Sequence, residues 1–238
     1  MLKFLDPFTF NLQVKTYNLK LFKVIAENLK NTLATIPSEV TLVAVSKTKP
    51  NSAIMEAYEA GQRVFGENKV QDLAAKAENL PKDIQWHMIG HLQSNKVKYI
   101  APFVHLIHGV DSLKLLQEIN KRATQNNRII DCLLQIHIAQ EETKFGLDQQ
   151  EAAALLKIAI DLKNIRITGL MGMATNTSNE AQVRKEFNYL KNLSIKLQTD
   201  NCKLQTVSMG MSGDYQIAIN EGSNMVRIGS AIFGARNY

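Results

Sequence analysis

Residues 41–50 read Thr-Leu-Val-Ala-Val-Ser-Lys-Thr-Lys-Pro, an apolar run from Leu42 to Val45 that breaks at Ser46 and gives way to a charged segment closed by Pro50. A short apolar run bounded by turn-forming residues is the pattern of a buried strand. Lys47 stands where that strand meets its loop. A lysine so placed can lose hydration, and desolvation disfavours the ammonium form and lowers its pKa. The resulting free amine can attack an aldehyde. Taken alone, a lysine closing a strand is usually a solvated surface charge, so its meaning depends on what else the chain brings to the same place.

Upstream, Phe22, Ile25, Leu29, Leu33 and Ile36 recur at three- or four-residue steps, the stripe of an amphipathic helix, and Pro37 ends it. The start before it, residues 1–17, is expected to be poorly ordered. Downstream, short apolar runs alternate with helical patterns. Candidate strands fall at 42–46, 63–65, 85–89, 104–110, 132–138, 166–171, 204–208 and 225–228. Asp148 to Glu151 and Thr177 to Glu180 both read as helix N-caps with a carboxylate three residues on. Val183, Phe187, Leu190 and Leu197 keep one face of a long helix apolar, and Gly222 is placed to stop the helix that holds Tyr215, Ala218 and Ile219. Eight strands joined by helical crossovers predict an α/β fold, a single-domain (β/α)8 TIM barrel over residues 1–238 with an extra N-terminal helix. An open doubly wound sheet, which needs fewer strands, is the runner-up.

Composition narrows the function. With 45% apolar and 21% charged residues the 238-residue chain has enough material for a sizeable core and is not expected to be disordered. The net charge of +6 is spread along the chain rather than clustered with aromatics. It predicts a general attraction for anionic ligands and no specific nucleic-acid site. Cys132 and Cys202 lie far apart with no CxxC, and Cys132 opens the apolar stretch CLLQIHI, so neither a disulfide framework nor a metal site is indicated. MLKFLDPFTF is broken by Asp6 and Pro7, and no apolar run approaches membrane-spanning length. A soluble cytoplasmic protein with no membrane partner is the expectation.

In an α/β barrel the reactive residues belong at the C-terminal ends of the strands. The distinctive segments fall there in turn: Lys47, Gly66-Glu67-Asn68, Gly90-His91, Asp111, Lys144, Met171-Gly172-Met173, Ser208-Met-Gly-Met-Ser212 and Gly229-Ser230. SMGMSGDY is a small-residue turn opening a helix, where backbone N–H groups and the Ser212 hydroxyl can converge on an anion. RIGSAIFG adds a second such turn, with Gly229 for close approach and Ser230 for another hydroxyl. Phosphate in these barrels is commonly held by the loops after strands seven and eight. Either turn alone reads as an ordinary tight turn. Both together, opposite a strand-end lysine, point to a phosphate-bearing aldehyde.

VSKTKP, FGEN, WHMIGHLQSNK, GLMGMAT, SMGMSGDY and MVRIGSAIFGAR occur in this order, and together they resemble the YggS/PROSC family of pyridoxal 5′-phosphate (PLP) homeostasis proteins over roughly residues 20–238. The resemblance implies a barrel like the N-terminal domain of alanine racemase that binds PLP without a well-established reaction. Carried over by position, it implies that Lys47 forms a covalent aldimine with PLP. It further implies that Ser212, Gly229 and Ser230 hold the phosphate, that Arg227 faces the pyridine nitrogen, that Asn68 and His87 line the pocket, and that Ser208 and Met211 are also cofactor-binding residues. On the residues alone, Arg227 also reads as a salt-bridged arginine, Asn68 as a helix cap and His87 as a satisfied core histidine. Lys69 stands where the family often has an aromatic residue, and Ser230 and Asn224 stand where threonine is common.

The function so implied is non-catalytic PLP binding in intracellular PLP homeostasis: a monomer that buffers the cofactor or passes it to apo PLP-dependent enzymes, with no catalytic residue of its own. A guanidinium can donate but not accept a hydrogen bond, so Arg227 favours the unprotonated ring, a poorer electron sink. The chain also lacks room for the second β domain that completes the racemase site. The alternatives are a PLP-dependent, racemase-like enzyme using the same lysine as a base, and a Schiff-base aldolase acting on a phosphorylated sugar.

Overall fold

A computed structural model describes residues 24–141, 145–199 and 202–235. The segment 1–17, Phe22 and Lys144 lie outside them. All eight expected strands form, each within two residues of its expected bounds: β1 Thr41–Val45, β2 Val64–Glu67, β3 Gln85–Met88, β4 Leu106–Val110, β5 Ile130–Ile136, β6 Ile165–Gly172, β7 Thr206–Ser208 and β8 Met225–Ile228. They are parallel and pair in chain order. β1 returns to β8 through Thr41↔Met225, Leu42↔Val226, Val43↔Arg227 and Ala44↔Ile228, which closes the barrel and excludes the open sheet.

The helices are α1 (residues 24–33), α2 Asn51–Glu59, α3 Val70–Asn79, α4 Leu113–Gln125, α5 Gln149–Ala159, α6 Glu180–Lys196, α7 Tyr215–Asn220 and α8 Ser230–Phe233, with a 3₁₀ helix, Ser94–Tyr99, between β3 and β4. In α1, Ile25 and Leu29 are buried as the stripe requires, but Leu33 is 43% exposed. The helix stops there and the chain turns before Pro37, so the last member of the stripe leaves the packed face. The Asp148–Glu151 signal is a true capping box: Asp148 Oδ1 accepts from Glu151 N at 2.8 Å and Glu151 Oε2 from Asp148 N at 2.9 Å. The second cap falls two residues later than expected. Asn179, not Thr177, accepts from Gln182 N, while Thr177 Oγ1 accepts from Asn179 N and shapes the approach. Gly222, at φ 93°, lies just beyond α7, where a left-handed residue ends a helix.

Apolar side chains divide into two cores. Val43, Leu106, Leu133, Met171 and Met225 fill the barrel, and a larger cluster, including Leu42, Phe65, Ile107 and Leu134, lies between strands and helices. Adjacent residues of one strand therefore serve opposite cores, as the period of two dictates. Cys132 is wholly buried in the outer core with a free thiol, which burial pushes up and makes unreactive. Gly169 lets β6 and β7 touch: an added Cβ would meet Thr206 O. Among the described residues no helix is long and apolar enough to cross a membrane.

Candidate functional site

Strand period and strand ends together select what faces the upper mouth. A cavity of about 450 Å³ opens there, and it takes Lys47 from the loop after β1, Asn68 after β2, Met211 and Ser212 after β7, Arg227 from β8, and Gly229 and Ser230 after it. Seven of the nine sequence-expected residues are thus brought together. A larger cavity, about 880 Å³, opens at the opposite, N-terminal mouth and contains none of these seven.

The loops after β7 and β8 are tied to each other. Gly229 N–H donates to Ser212 Oγ at 3.2 Å, and an added Cβ on Gly229 would sit 3.1 Å from Val45 O, so glycine is what lets this turn lie against β1. Gly90 acts likewise: its Cβ would be 2.5 Å from Asn68 O, so FGEN can approach the β3 loop only beside glycine. Lys47 occupies the second position of the turn Ser46–Lys49, closed by Lys49 N–H donating to Ser46 O at 3.0 Å.

Arg227 is almost wholly buried. Its Nη1 donates to Ser208 O at 2.8 Å and Ser208 Oγ at 2.6 Å, and its Nη2 donates to Gly172 O at 3.0 Å. Burial pushes the guanidinium down to about 10, with Asp214 opposing, and it remains charged at neutral pH. His108 Nδ1 lies 3.1 Å from Ser208 Oγ, and His87 Nδ1 lies 3.0 Å from His108 Nε2. Arginine can only donate, so Ser208 Oγ accepts from Arg227. The hydroxyl has one proton and a second lone pair, so it can either donate to His108 Nδ1 or accept from it, and the tautomers of His108 and His87 follow that choice together. His87 Nε2 is buried and has no hydrogen-bond partner among the described residues. Burial holds both imidazoles neutral, His87 pushed down to about 3 and His108 well below the usual histidine range.

The structure does not bring His87 and Ser208 to the upper cavity wall. Both point into the barrel, but one layer deeper than the rim: His87 lies two residues before Ile89, which does line the cavity, and stacks on His105 near the lower mouth. Ser208 reaches the site only through Arg227. Several wall residues were not singled out from the sequence. Lys49 belongs to the same motif as Lys47, and its Nζ donates to the carbonyls of Phe233, Gly234 and Ala235, pinning the end of α8. Gln135 is a polar residue at an inward position of β5, a signal that period-two counting could have found, and its Nε2 donates to Phe145 O at 2.7 Å. Phe145 itself, stacked on His91 at 4.9 Å and 62% exposed at the rim, carries no local pattern.

The donor set suits a phosphorylated aldehyde. It offers a primary amine, a cationic donor at the cavity floor, and two serine hydroxyls on glycine turns narrow enough for backbone N–H groups to reach an anion.

Residues 22–237 match the model of the alanine racemase N-terminal domain family. A pyridoxal phosphate homeostasis protein of Aquifex aeolicus is 42% identical, the match covering 83% of this chain and 87% of that one. Among solved structures, PipY of Synechococcus elongatus PCC7942 with PLP bound is 36% identical with a TM-score of 0.82, over 88% of this chain and all of that one. Alanine racemase of Clostridium difficile 630, at 16% identity and a TM-score of 0.75 over 92% of this chain and 58% of that one, shares the fold.

Proposed function

The chain belongs to the alanine racemase N-terminal domain family and, within it, with the pyridoxal phosphate homeostasis proteins, and from this premise we propose that it binds PLP at the upper mouth of the barrel and serves PLP homeostasis. The observation that carries the reading is the convergence of Lys47, Arg227, Ser212, Gly229 and Ser230 on one cavity. PLP supplies an electrophilic aldehyde and a dianionic phosphate. Lys47 would be the covalent anchor, its primary amine supplying the nucleophile for a condensation with the aldehyde that releases water and needs no oxidant or reductant. Ser212, Ser230 and the amides of the two glycine turns hold the phosphate. Arg227 would face the ring nitrogen as an obligate donor, which would favour the unprotonated ring, a weaker electron sink. Met211 and Asn68 line the same cavity and would complete its wall around the cofactor. A reversible anchor in a cavity open to solvent suits buffering and hand-over to apo-enzymes.

Adding PLP to the purified protein should produce a visible imine band, and borohydride should fix the adduct on the peptide containing Lys47. Neither should occur in Lys47→Ala. A band that survives that substitution, or no band in the wild-type protein, would remove Lys47 as the anchor.

A further inference from the structure

The turn that carries Lys47 is strained. Thr48 takes φ 66°, a left-handed value that glycine and asparagine adopt readily and a β-branched residue does not. It is the third residue of the Ser46–Lys49 turn, so Lys47 leaves the backbone directly beside it. Such a conformation persists only where the surroundings over-determine it.

The surroundings do so at Ser46. Every polar atom of that residue is engaged: its N–H donates to Gly66 O at 3.0 Å, its Oγ donates to Glu67 Oε1 at 2.6 Å, and its carbonyl accepts from Lys49 N at 3.0 Å and from Lys76 Nζ at 3.0 Å. Lys76 Nζ also donates to Glu67 Oε1 at 2.6 Å. The Glu67 side chain is fully buried and that of Lys76 is 10% exposed, so the pair acts where solvent screens it little. Neither side chain lines the upper cavity, and neither does Thr48. A buried ion pair is weak as a source of net stability, and its better-attested use is to specify one arrangement among several.

We propose that Glu67 and Lys76 are positioning residues for Lys47: by fixing Ser46 they hold the turn in its strained form, and that form aims the Lys47 amine into the cavity. The inference rests on the reading of Lys47 as the PLP anchor. It predicts that loosening the turn impairs covalent capture while leaving non-covalent recognition in place.

Pyridoxamine 5′-phosphate separates the two, because it has the ring and phosphate of PLP but no aldehyde. Four proteins are compared: wild type, Thr48→Gly, Thr48→Asn, and the double variant Glu67→Gln with Lys76→Met, which leaves no unpaired buried charge. For each, the imine fraction at fixed PLP, its pH midpoint, the dissociation constant of pyridoxamine 5′-phosphate and the melting temperature are measured. In Thr48→Gly and in the double variant the imine equilibrium should weaken by about tenfold, with affinity for pyridoxamine 5′-phosphate within about twofold of wild type, since small misplacements of a reacting group are costly. Thr48→Asn, which keeps a left-handed residue with a side chain, should stay near wild type. Equal losses for both ligands, tracking the melting temperature, would show that these residues only stabilise the fold. Unchanged imine formation in Thr48→Gly and the double variant would also overturn the proposal. Pyridoxamine 5′-phosphate binding without any imine in the wild-type protein would instead overturn the reading of Lys47 itself.

Discussion

Ser230 opens α8 on the wall of the upper cavity, next to Gly229, whose amide is held by Ser212 Oγ. A hydroxyl donating to a phosphate makes a charge-assisted hydrogen bond worth about 1.5–3 kcal/mol, or roughly 10- to 100-fold in affinity. Ser230→Ala should therefore weaken PLP and inorganic phosphate together by about tenfold or more, whereas Ser230→Thr, which keeps the oxygen, should bind as the wild type does. Titration by fluorescence or calorimetry checks this, and an alanine variant with unchanged affinity would take Ser230 off the phosphate. At this scale the sequence was informative about placement near the strand ends, as for Lys47, Ser212 and Arg227, which line one cavity. It was silent on height within the barrel. His87 and Ile89 face the same way because side chains on a strand alternate, yet only Ile89 reaches the upper wall, about 6.6 Å further along the strand. Ser208 also falls short of the wall, three residues before Met211, which lines it.

Four elements meet in the chain His87–His108–Ser208–Arg227, which crosses the barrel interior from β3 through β4 and β7 to β8. Both imidazoles are bases that burial keeps neutral, with His105 and Arg227 adding unfavourable charge. Their folded pKa values lie below the unfolded value near 6.5, so between about pH 6 and pH 4 the unfolded chain binds more protons and acid favours it. The stability is fully present above pH 6.5 and is lost as pH falls towards the folded values. Each histidine contributes a slope of about 1.4 kcal/mol per pH unit. Denaturant titrations across that range should show the slope falling by about one proton in His87→Phe, and an unaltered slope would mean that His87 is not held neutral. The β6–β7 contact makes a second prediction at this scale. A Cβ at Gly169 meets a backbone carbonyl that cannot swing aside, so Gly169→Ala should cost about 3 kcal/mol or more, read as a lowered denaturation midpoint with the slope unchanged. The strands were legible because each is a short apolar run between turn signals. The crossover Ser94–Tyr99 was not legible as a 3₁₀ helix, since the lysines of NKVKYI read equally well as any solvated helix face. The cap at Asn179 was missed because Thr177 and Asn179 are both good capping residues, and only the path of the chain into α6 decides between them.

Closing the sheet gives the molecule two mouths of different character, and a ligand held at one of them is coupled to the stability of the whole barrel. Lys47, Arg227, Ser212 and Ser230 come from β8 and from the segments after β1, β7 and β8, which meet only once β8 has paired with β1. An unfolded chain therefore keeps the amine but loses the cavity, and PLP should bind the folded state far better. At a free concentration one hundred times the dissociation constant, one-site linkage gives about 2.7 kcal/mol of stabilisation. For a domain of this size each kcal/mol moves the melting temperature by about 2–4 °C, so saturating PLP should raise it by roughly 5–10 °C. Lys47→Ala should show a smaller rise, because the phosphate and ring contacts remain while the covalent bond is gone. Pyridoxal, which lacks the phosphate, should shift the wild-type protein least of all. Calorimetry with the three combinations orders these contributions. A rise in Lys47→Ala equal to that of the wild type would mean that the closed barrel recognises the cofactor by its phosphate and ring alone, with the lysine adding nothing to the coupling between binding and fold.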